Sequence, residues 1–288
     1  MCRLFGLSAG SNRVKATFWL LEAPDSLARQ SRKEPDGTGL GVFDAGGHPR
    51  VKREPVAAYE DATFSREATE EESRTFVAHV RYASTGSVNI LNTHPFEQQG
   101  RLFAHNGVIQ ELGELEAELG EYAKLVHGET DSERFFALIT KEIDAKGGDV
   151  GAGIVSAARW VARKLPIFSI NLILTTEEGL WALRYPDTHE LFVLERAAGG
   201  PTGSRHLDHA SAAGTVRVRS RDLASLPSVV VATERMDEDP GWRPLGSGEL
   251  LHVGGDLSCT TTVAIDSPPA RRLTLVALEG RAAASQAP

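Results

Sequence analysis

Met1-Cys2-Arg3-Leu4-Phe5-Gly6-Leu7 opens the chain of 288 residues, and the prediction of the fold rests on this stretch. A cysteine stands directly behind the initiator methionine, and an apolar, strand-like run follows at once. Because methionine is readily trimmed ahead of a small residue, we expect Cys2 to become the amino terminus. Its free α-amine, with an ordinary pKa of about 7.7–8.0, would then accept the thiol proton as an acyl transfer begins. Taken alone, Cys2 is also consistent with an incidental small residue at a frayed terminus.

Composition narrows the class of protein. Hydrophobic residues make up 41% and charged residues 24%, as in ordinary soluble globular proteins. No charged leader precedes the first apolar run, and no apolar run comes close to the ~20 residues that span a bilayer, so neither an export signal nor a membrane partner is expected. The net charge of −8 argues against nucleic acid as a partner. The two cysteines, Cys2 and Cys259, are too few for a secreted disulfide scaffold and favour the cytoplasm.

The order of the predicted elements indicates one domain, because neither an internal repeat nor a separating linker is present. We place this domain at residues 2–280. A stretch rich in Gly, Ser and Ala near 199–214 is expected to be a mobile insert, and residues 281–288 a disordered tail. The sequence gives no indication of an oligomeric state.

Two patterns that suggest bound groups are weak. His206 and His209 have H-x-x-H spacing, but they lack further cysteine or acidic partners for a metal ion. Gly37, Gly39 and Gly41 do not have the spacing of a dinucleotide-binding loop, and a hairpin rather than a helix is predicted after them. We therefore expect neither a metal nor a cofactor.

A buried cation is predicted at the end of a central strand. Residues 75–83 alternate in polarity and are β-branched enough for a strand, which carries Arg81 to its carboxyl end before the turn Ser84-Thr85-Gly86. Because a buried guanidinium requires an anionic partner, Arg81 suggests an anionic ligand, although a surface carboxylate would also serve.

The dipeptide Asn106-Gly107 follows a short predicted strand at residues 101–105. Asn-Gly is the commonest signal for a short hairpin. Residues 108–119, however, have leucines at helical spacing instead of a return strand. The alternative is a junction between strand and helix, where one amide side chain and one unhindered backbone N–H are exposed and suit an oxyanion site.

Thr130-Asp131-Ser132-Glu133 has the spacing of a capping box at the start of an amphipathic helix. Asp131 in the first turn also favours the helix dipole. Capping alone is therefore a sufficient explanation for this motif, and a ligand-binding role for Asp131 needs support from the rest of the chain.

Four motifs occur together in one order along the chain, namely Cys2 behind Met1, Arg81-Tyr82-Ala83-Ser84-Thr85-Gly86, His105-Asn106-Gly107 and Thr130-Asp131-Ser132-Glu133. In order and approximate spacing they resemble the class II glutamine amidotransferases, N-terminal-nucleophile hydrolases with an α+β fold, a four-layer αββα sandwich. The likeness extends to the stand-alone YafJ-like branch and the γ-glutamyl amide hydrolase of ergothioneine synthesis. It includes Asn92-Thr93-His94-Pro95-Phe96 and the late Ala232-Thr233-Glu234 with Trp242.

The resemblance implies a role for each motif. Cys2 would attack the side-chain amide of glutamine, and the Asn106 side chain and the Gly107 backbone N–H would form the oxyanion hole. Arg81 would hold the substrate α-carboxylate and Asp131 the α-ammonium, since a zwitterion needs one fixed cation and one fixed anion. Further substrate-lining residues would be Ser84, Thr85 and Gly86.

Two residue changes depart from the family pattern. Tyr82 stands where a tryptophan is frequent, and Glu34-Pro35-Asp36-Gly37 replaces a glycine-led turn expected near the nucleophile. Neither change removes a group with an implied chemical role. The second leaves open how the N-terminal amine is hydrogen-bonded.

The resemblance leaves three functions open, because the chain has no length for the synthase domain that most members carry. The first is an amidohydrolase that cleaves glutamine or a γ-glutamyl amide through a γ-glutamyl thioester, releasing glutamate and ammonia or an amine. The second is a glutaminase subunit that delivers ammonia to a separate synthase partner. The third is a non-catalytic glutamine-binding module, which the presence of Cys2, Asn106, Arg81 and Asp131 disfavours.

Overall fold

Two large β-sheets form the centre of the protein. A computed structural model describes residues 2–84, 86–198, 208–210, 217–219, 225–278 and 280–286. The first sheet is antiparallel and contains, from edge to edge, β13 (Arg243–Pro244), β9 (Phe192–Arg196), β12 (Ser228–Ala232), β1 (Arg3–Ser8), β4 (Thr75–Arg81), β2 (Gly37–Phe43) and β3 (Pro49–Glu54).

The second sheet is antiparallel apart from one short strand. It contains, from edge to edge, β15 (Cys259–Val263), β14 (Glu249–Val253), β8 (Leu180–Leu183), β7 (Pro166–Thr175), β6 (Arg101–Ile109) and β5 (Phe96–Gln98), and β16 (Arg271–Arg272) pairs in parallel with β7. Two further strands, β10 (Asp208–Ala210) and β11 (Arg217–Arg219), pair only with each other among the described residues.

Helices cover the outer face of each sheet. On the first sheet lie a π-helical turn (Phe18–Glu22), α1 (Leu27–Gln30) and α2 (Ala62–Glu70), and on the second lie α3 (Leu112–Leu119), α4 (Asp131–Ala145) and α5 (Val150–Lys164). Short 3₁₀ turns occur at Ile90–Asn92, Gly120–Leu125 and Leu275–Ala277, and the described chain ends in a C-terminal helix, Gly280–Gln286. Within the described ranges, no helix is both long and apolar enough to cross a membrane.

The alternation of side chains along the strands explains the layers. Successive residues of a strand point to opposite faces of its sheet. In β1, Leu4 packs between the two sheets with Ile173 of β7, whereas Phe5 packs on the outer side with Trp19. In β7, Leu172 points outward to the layer of α4 and α5. The central strands are therefore apolar at successive positions, and the predicted four-layer αββα sandwich is confirmed.

The prediction of a strand end at Asn106-Gly107 is wrong. Strand β6 continues through both residues, with Asn106 opposite Asn171 and Gly107 opposite Ile170 of β7, and α3 begins only at Leu112. Pairing with a distant strand outweighs the local turn preference of Asn-Gly, as tertiary context commonly does. The proposed oxyanion residues thus lie inside a central sheet.

The predicted disorder at residues 281–288 is also wrong for the part that the structure describes. Gly280–Gln286 is helical, Ser285 and Gln286 are buried, and Gln286 Oε1 lies 2.8 Å from His189 Nε2. Alanine is the best helix former, so an Ala-rich end becomes helical once such contacts hold it. The predicted mobile insert at 199–214 lies outside the described residues except for Asp208–Ala210, as do residues 287–288.

Candidate functional site

Cys2 immediately precedes β1, the strand that lies between β12 and β4 in the first sheet. It is 7% exposed, and its Sγ accepts a hydrogen bond from Tyr82 N at 3.2 Å and lies 3.3 Å from Tyr82 O, to which the thiol donates. Burial, aided by the Glu34 carboxylate, raises the pKa of the Cys2 thiol to about 11. The thiol is therefore protonated at neutral pH, and its use as a nucleophile requires a base that takes this proton.

Asn106 contacts the same residue from the second sheet. Its Nδ2 donates to Cys2 O at 3.0 Å. A side-chain amide carries two N–H donors, so this contact leaves one for a further acceptor. Its Oδ1 is buried and accepts no hydrogen bond from the residues that the structure describes. The sheets thus bring together Cys2 and Asn106, which are far apart in sequence.

Position 107 has no room for a side chain, because β6 approaches β7 closely there. A Cβ atom added at this position would lie 1.7 Å from Ser169 O, which no side chain tolerates. The strand pairing becomes irregular immediately afterwards, between Val108 and Ile109. Only glycine therefore fits beside Asn106 without displacing the backbone of β7.

Arg81 ends β4 and is 3% exposed. Its Nη1 donates to Ser87 O at 3.3 Å. Burial lowers the pKa of the Arg81 guanidinium, and the acidic groups of Cys2, Asp36 and Asp131 oppose this change. Arg81 and Asp131 are therefore close enough for their charges to interact. They are the two residues predicted to bind opposite ends of a zwitterion.

Asp131 connects the start of α4 to β6. It is buried, and its Oδ2 accepts from Ile109 N at 2.9 Å, while Oδ1 accepts from Ser132 N at 2.9 Å. Thr130 supplies the helix cap, since its Oγ1 accepts from Glu133 N at 3.2 Å. Capping therefore accounts for Thr130, whereas the Asp131 carboxylate is directed to the strand that carries Asn106.

The loop after Arg81 holds the remaining predicted substrate-lining residues. Ser84 is half-buried, Gly86 is exposed with a φ of 71°, and Thr85 lies outside the described residues. Glu129 fastens this loop to the segment before α4, because its Oε2 accepts from Ser87 N at 2.9 Å and from Asn92 Nδ2 at 2.8 Å. These hydrogen bonds lower the pKa of Glu129 to about 2.

Asp36 and Arg281 adjoin the site, although the motifs gave neither of them a role. Arg281 lies in the stretch predicted to be disordered, and its Nη2 donates to Asp36 Oδ2 at 2.8 Å. No local pattern indicates this contact, because it joins the two ends of the chain. Among the residues that the structure describes, no cluster of three or more His, Cys, Asp or Glu side chains is arranged to hold a metal ion.

The chain is similar to known proteins over most of its length. The family model for class II glutamine amidotransferases matches residues 1–274. The γ-glutamyl-hercynylcysteine sulfoxide hydrolase of Mycobacterium tuberculosis is 29% identical over 264 residues, which are 88% of this chain and 93% of that protein. An uncharacterised protein of Methanocaldococcus jannaschii is 34% identical over 151 residues, but the match spans only 40% of that protein and 51% of this chain.

A solved structure supports the fold. The glutamine phosphoribosylpyrophosphate amidotransferase of Bacillus subtilis superimposes with a TM-score of 0.63 at 16% identity, and the match covers 93% of this chain and 50% of that one. At this level of identity the comparison establishes the shared architecture alone. The family model, which matches residues 1–274, shows that the chain belongs to the class II glutamine amidotransferases, the family that the four motifs predicted.

Proposed function

We propose that the protein is an amidohydrolase that cleaves the side-chain amide of glutamine or of a γ-glutamyl compound with Cys2 as an N-terminal nucleophile. The observation that carries this proposal is the contact of Asn106 Nδ2 with the backbone oxygen of Cys2 at 3.0 Å, which joins an amide side chain to the residue that carries the buried thiol. The M. tuberculosis relative, named as a hydrolase of a γ-glutamyl compound, is similar over nearly its whole length and supports the same reaction class.

The first step transfers the glutamyl group to sulfur. After removal of Met1, the free α-amine of Cys2 takes the thiol proton, and Sγ bonds to the amide carbon of the substrate. The second N–H of Asn106 and the backbone N–H of Gly107 stabilise the oxyanion. The C–N bond then breaks, and the α-ammonium returns the proton to the leaving ammonia or amine.

The second step releases glutamate. The α-amine of Cys2 accepts a proton from water as the water oxygen bonds to the thioester carbon. The C–S bond then breaks, and the sulfur regains the proton. Burial raises the pKa of the Cys2 thiol in the full-length chain, so a base next to the sulfur aids its deprotonation in each cycle. The Oδ1 of Asn106, which accepts no hydrogen bond from the described part of the chain, is a suitable acceptor for an N–H of that amine.

Arg81 and Asp131 define the ligand class that the site accepts. A buried guanidinium suits the α-carboxylate of the substrate, and a buried carboxylate suits its α-ammonium. Their fixed separation selects an L-amino acid with a side chain long enough to reach Cys2. In this proposal Ser84 and Gly86, in the loop that follows Arg81, line the substrate beside it.

The two neighbouring residues of the Thr130-Asp131 motif should respond differently to substitution. Asp131→Asn keeps one acceptor oxygen but removes the charge, and we expect KM for the substrate to rise about ten- to a hundredfold. Thr130→Ala removes the helix cap and should lower the free energy of unfolding by about 0.5–2 kcal/mol with KM unchanged. Steady-state kinetics and denaturant unfolding of both variants check this. A normal KM in the Asp131→Asn enzyme would show that its carboxylate serves the fold alone.

The proposed reaction is tested with a panel of γ-glutamyl compounds. Glutamine, γ-glutamyl amides and γ-glutamyl peptides are incubated with the purified protein, and glutamate and ammonia or amine are quantified separately. We expect glutamate and the leaving amine in equal amounts from at least one compound. Ammonia that is formed only when cell extract is added would favour delivery to a separate synthase. Glutamine binding without any turnover would indicate a non-catalytic binding module.

A further inference from the structure

The C-terminal helix, Gly280–Gln286, packs against the strands that carry the site. Leu278, just before this helix, packs with Val108 and Phe168, which lie in β6 and β7. At the other end of the helix, the buried Gln286 contacts His189 at 2.8 Å. Val108 directly follows Gly107, so the helix lies next to the proposed oxyanion residues.

Asp36 connects this helix to the end of β4. Its backbone N donates to Arg81 O at 3.0 Å, and its Oδ2 accepts from Ala83 N at 2.9 Å. The same Oδ2 accepts from Arg281 Nη2 at 2.8 Å, and the Arg281 guanidinium lies 6.0 Å from the centre of the Tyr82 ring. Arg281 is thus attached to the segment that positions Arg81.

The ion pair of Arg281 with Asp36 affects the charge that a bound ligand would meet near Arg81. In the proposed substrate complex, Arg81 faces the α-carboxylate and Asp131 the α-ammonium. Asp36 is a further carboxylate close to Arg81, and its charge disfavours a second anion there. Arg281 and Asp36 form an ion pair, and their charges have opposite effects on Arg81: Asp36 raises the pKa of its guanidinium and Arg281 lowers it. The Arg81 guanidinium is therefore close enough to interact with both charges.

We propose that Arg281 is a positioning residue for the substrate carboxylate. By neutralising Asp36, it lets the Arg81 guanidinium bind the α-carboxylate of the substrate without repulsion from a neighbouring anion. The C-terminal helix then completes the substrate site, and it favours γ-glutamyl compounds with a free α-carboxylate. This inference rests on the proposed amidohydrolase function.

The test is a charge-rescue series measured by steady-state kinetics on glutamine or on the γ-glutamyl compound that the panel identifies. Arg281→Ala should raise KM about three- to tenfold with little change in kcat. Arg281→Lys should stay near the wild-type KM, because it keeps the positive charge. Adding Asp36→Asn to Arg281→Ala should lower KM again, since asparagine keeps an acceptor for Ala83 N but carries no charge.

Two controls separate this effect from damage to the fold. Arg272 is a comparably exposed arginine on the segment before the helix, and its guanidinium lies 2.7 Å from the Asp187 carboxylate. Arg272→Ala should leave KM unchanged. A substrate with its α-carboxylate converted to a neutral amide should be insensitive to Arg281→Ala. Wild-type KM in the Arg281→Ala enzyme, or a raised KM that Asp36→Asn fails to lower, would overturn the inference. A wild-type protein that turns over no compound would instead overturn the proposed function, and this inference with it.

Discussion

Replacement of Cys2 by alanine is expected to abolish hydrolysis of every γ-glutamyl compound while glutamine binding persists. The substitution removes only the sulfur, whereas Arg81, Asp131 and the Asn106-Gly107 segment stay in place. Loss of the nucleophile eliminates the covalent pathway, and its effect on kcat should exceed that of any other single change. Product formation is compared between the two proteins, and binding to the variant is measured by calorimetry.

The matched control for this experiment is the second cysteine. Cys259 starts β15, its Sγ lies 3.7 Å from Leu257 O, and it has no role in the proposed reaction. Cys259→Ala should retain wild-type kcat and KM. Undiminished turnover by the Cys2→Ala protein would contradict the covalent mechanism.

Asn106→Ala is expected to lower kcat about a hundred- to a thousandfold, the usual consequence of removing one oxyanion donor. The thiol and the charges of Arg81 and Asp131 remain, so KM should change much less than kcat. Single-turnover kinetics of thioester formation measure this effect directly. Asn106→Asp, which keeps the shape but replaces the donor by an acceptor, should be impaired at least as strongly.

Asn171 supplies a matched control for that variant, because it is a buried asparagine directly opposite Asn106 in β7. Its side chain donates to His189 O and accepts from Tyr185 N, and neither contact involves Cys2. Asn171→Ala should therefore lower the stability of the protein and leave the rate of thioester formation near the wild-type value. An Asn106→Ala enzyme with normal kcat would assign the oxyanion site to other donors.

Much of the architecture could be predicted from the sequence, because several motifs agree on one fold. The apolar run that contains Leu4 and Phe5 fits a strand buried on both faces, and the structure divides these two residues between two layers. Thr130 was predicted to be a helix cap, and it is one. Local patterns of this kind depend on neighbouring residues and so can be interpreted without the tertiary structure.

Contacts between distant parts of the chain could not be predicted in this way. Asn-Gly has a strong local preference for a turn, and only pairing with β7 keeps Asn106 and Gly107 inside a strand. An Ala-rich chain end fits a frayed tail as well as a helix, and the choice depends on partners such as Asp36 and His189. The hydrogen bond from Ile109 N to the Asp131 carboxylate is a further contact between distant residues that the capping-box spacing does not indicate.

One labelling experiment tests most directly whether Cys2 is the N-terminal nucleophile. The native protein is treated with a diazo-ketone analogue of glutamine, and its intact mass and the modified peptide are determined by mass spectrometry. We expect a chain that starts at Cys2 and carries one adduct on that residue, with Cys259 unmodified and with protection by excess glutamine. A protein that retains Met1 and still turns over substrate, or an adduct on Cys259 alone, would contradict the mechanism.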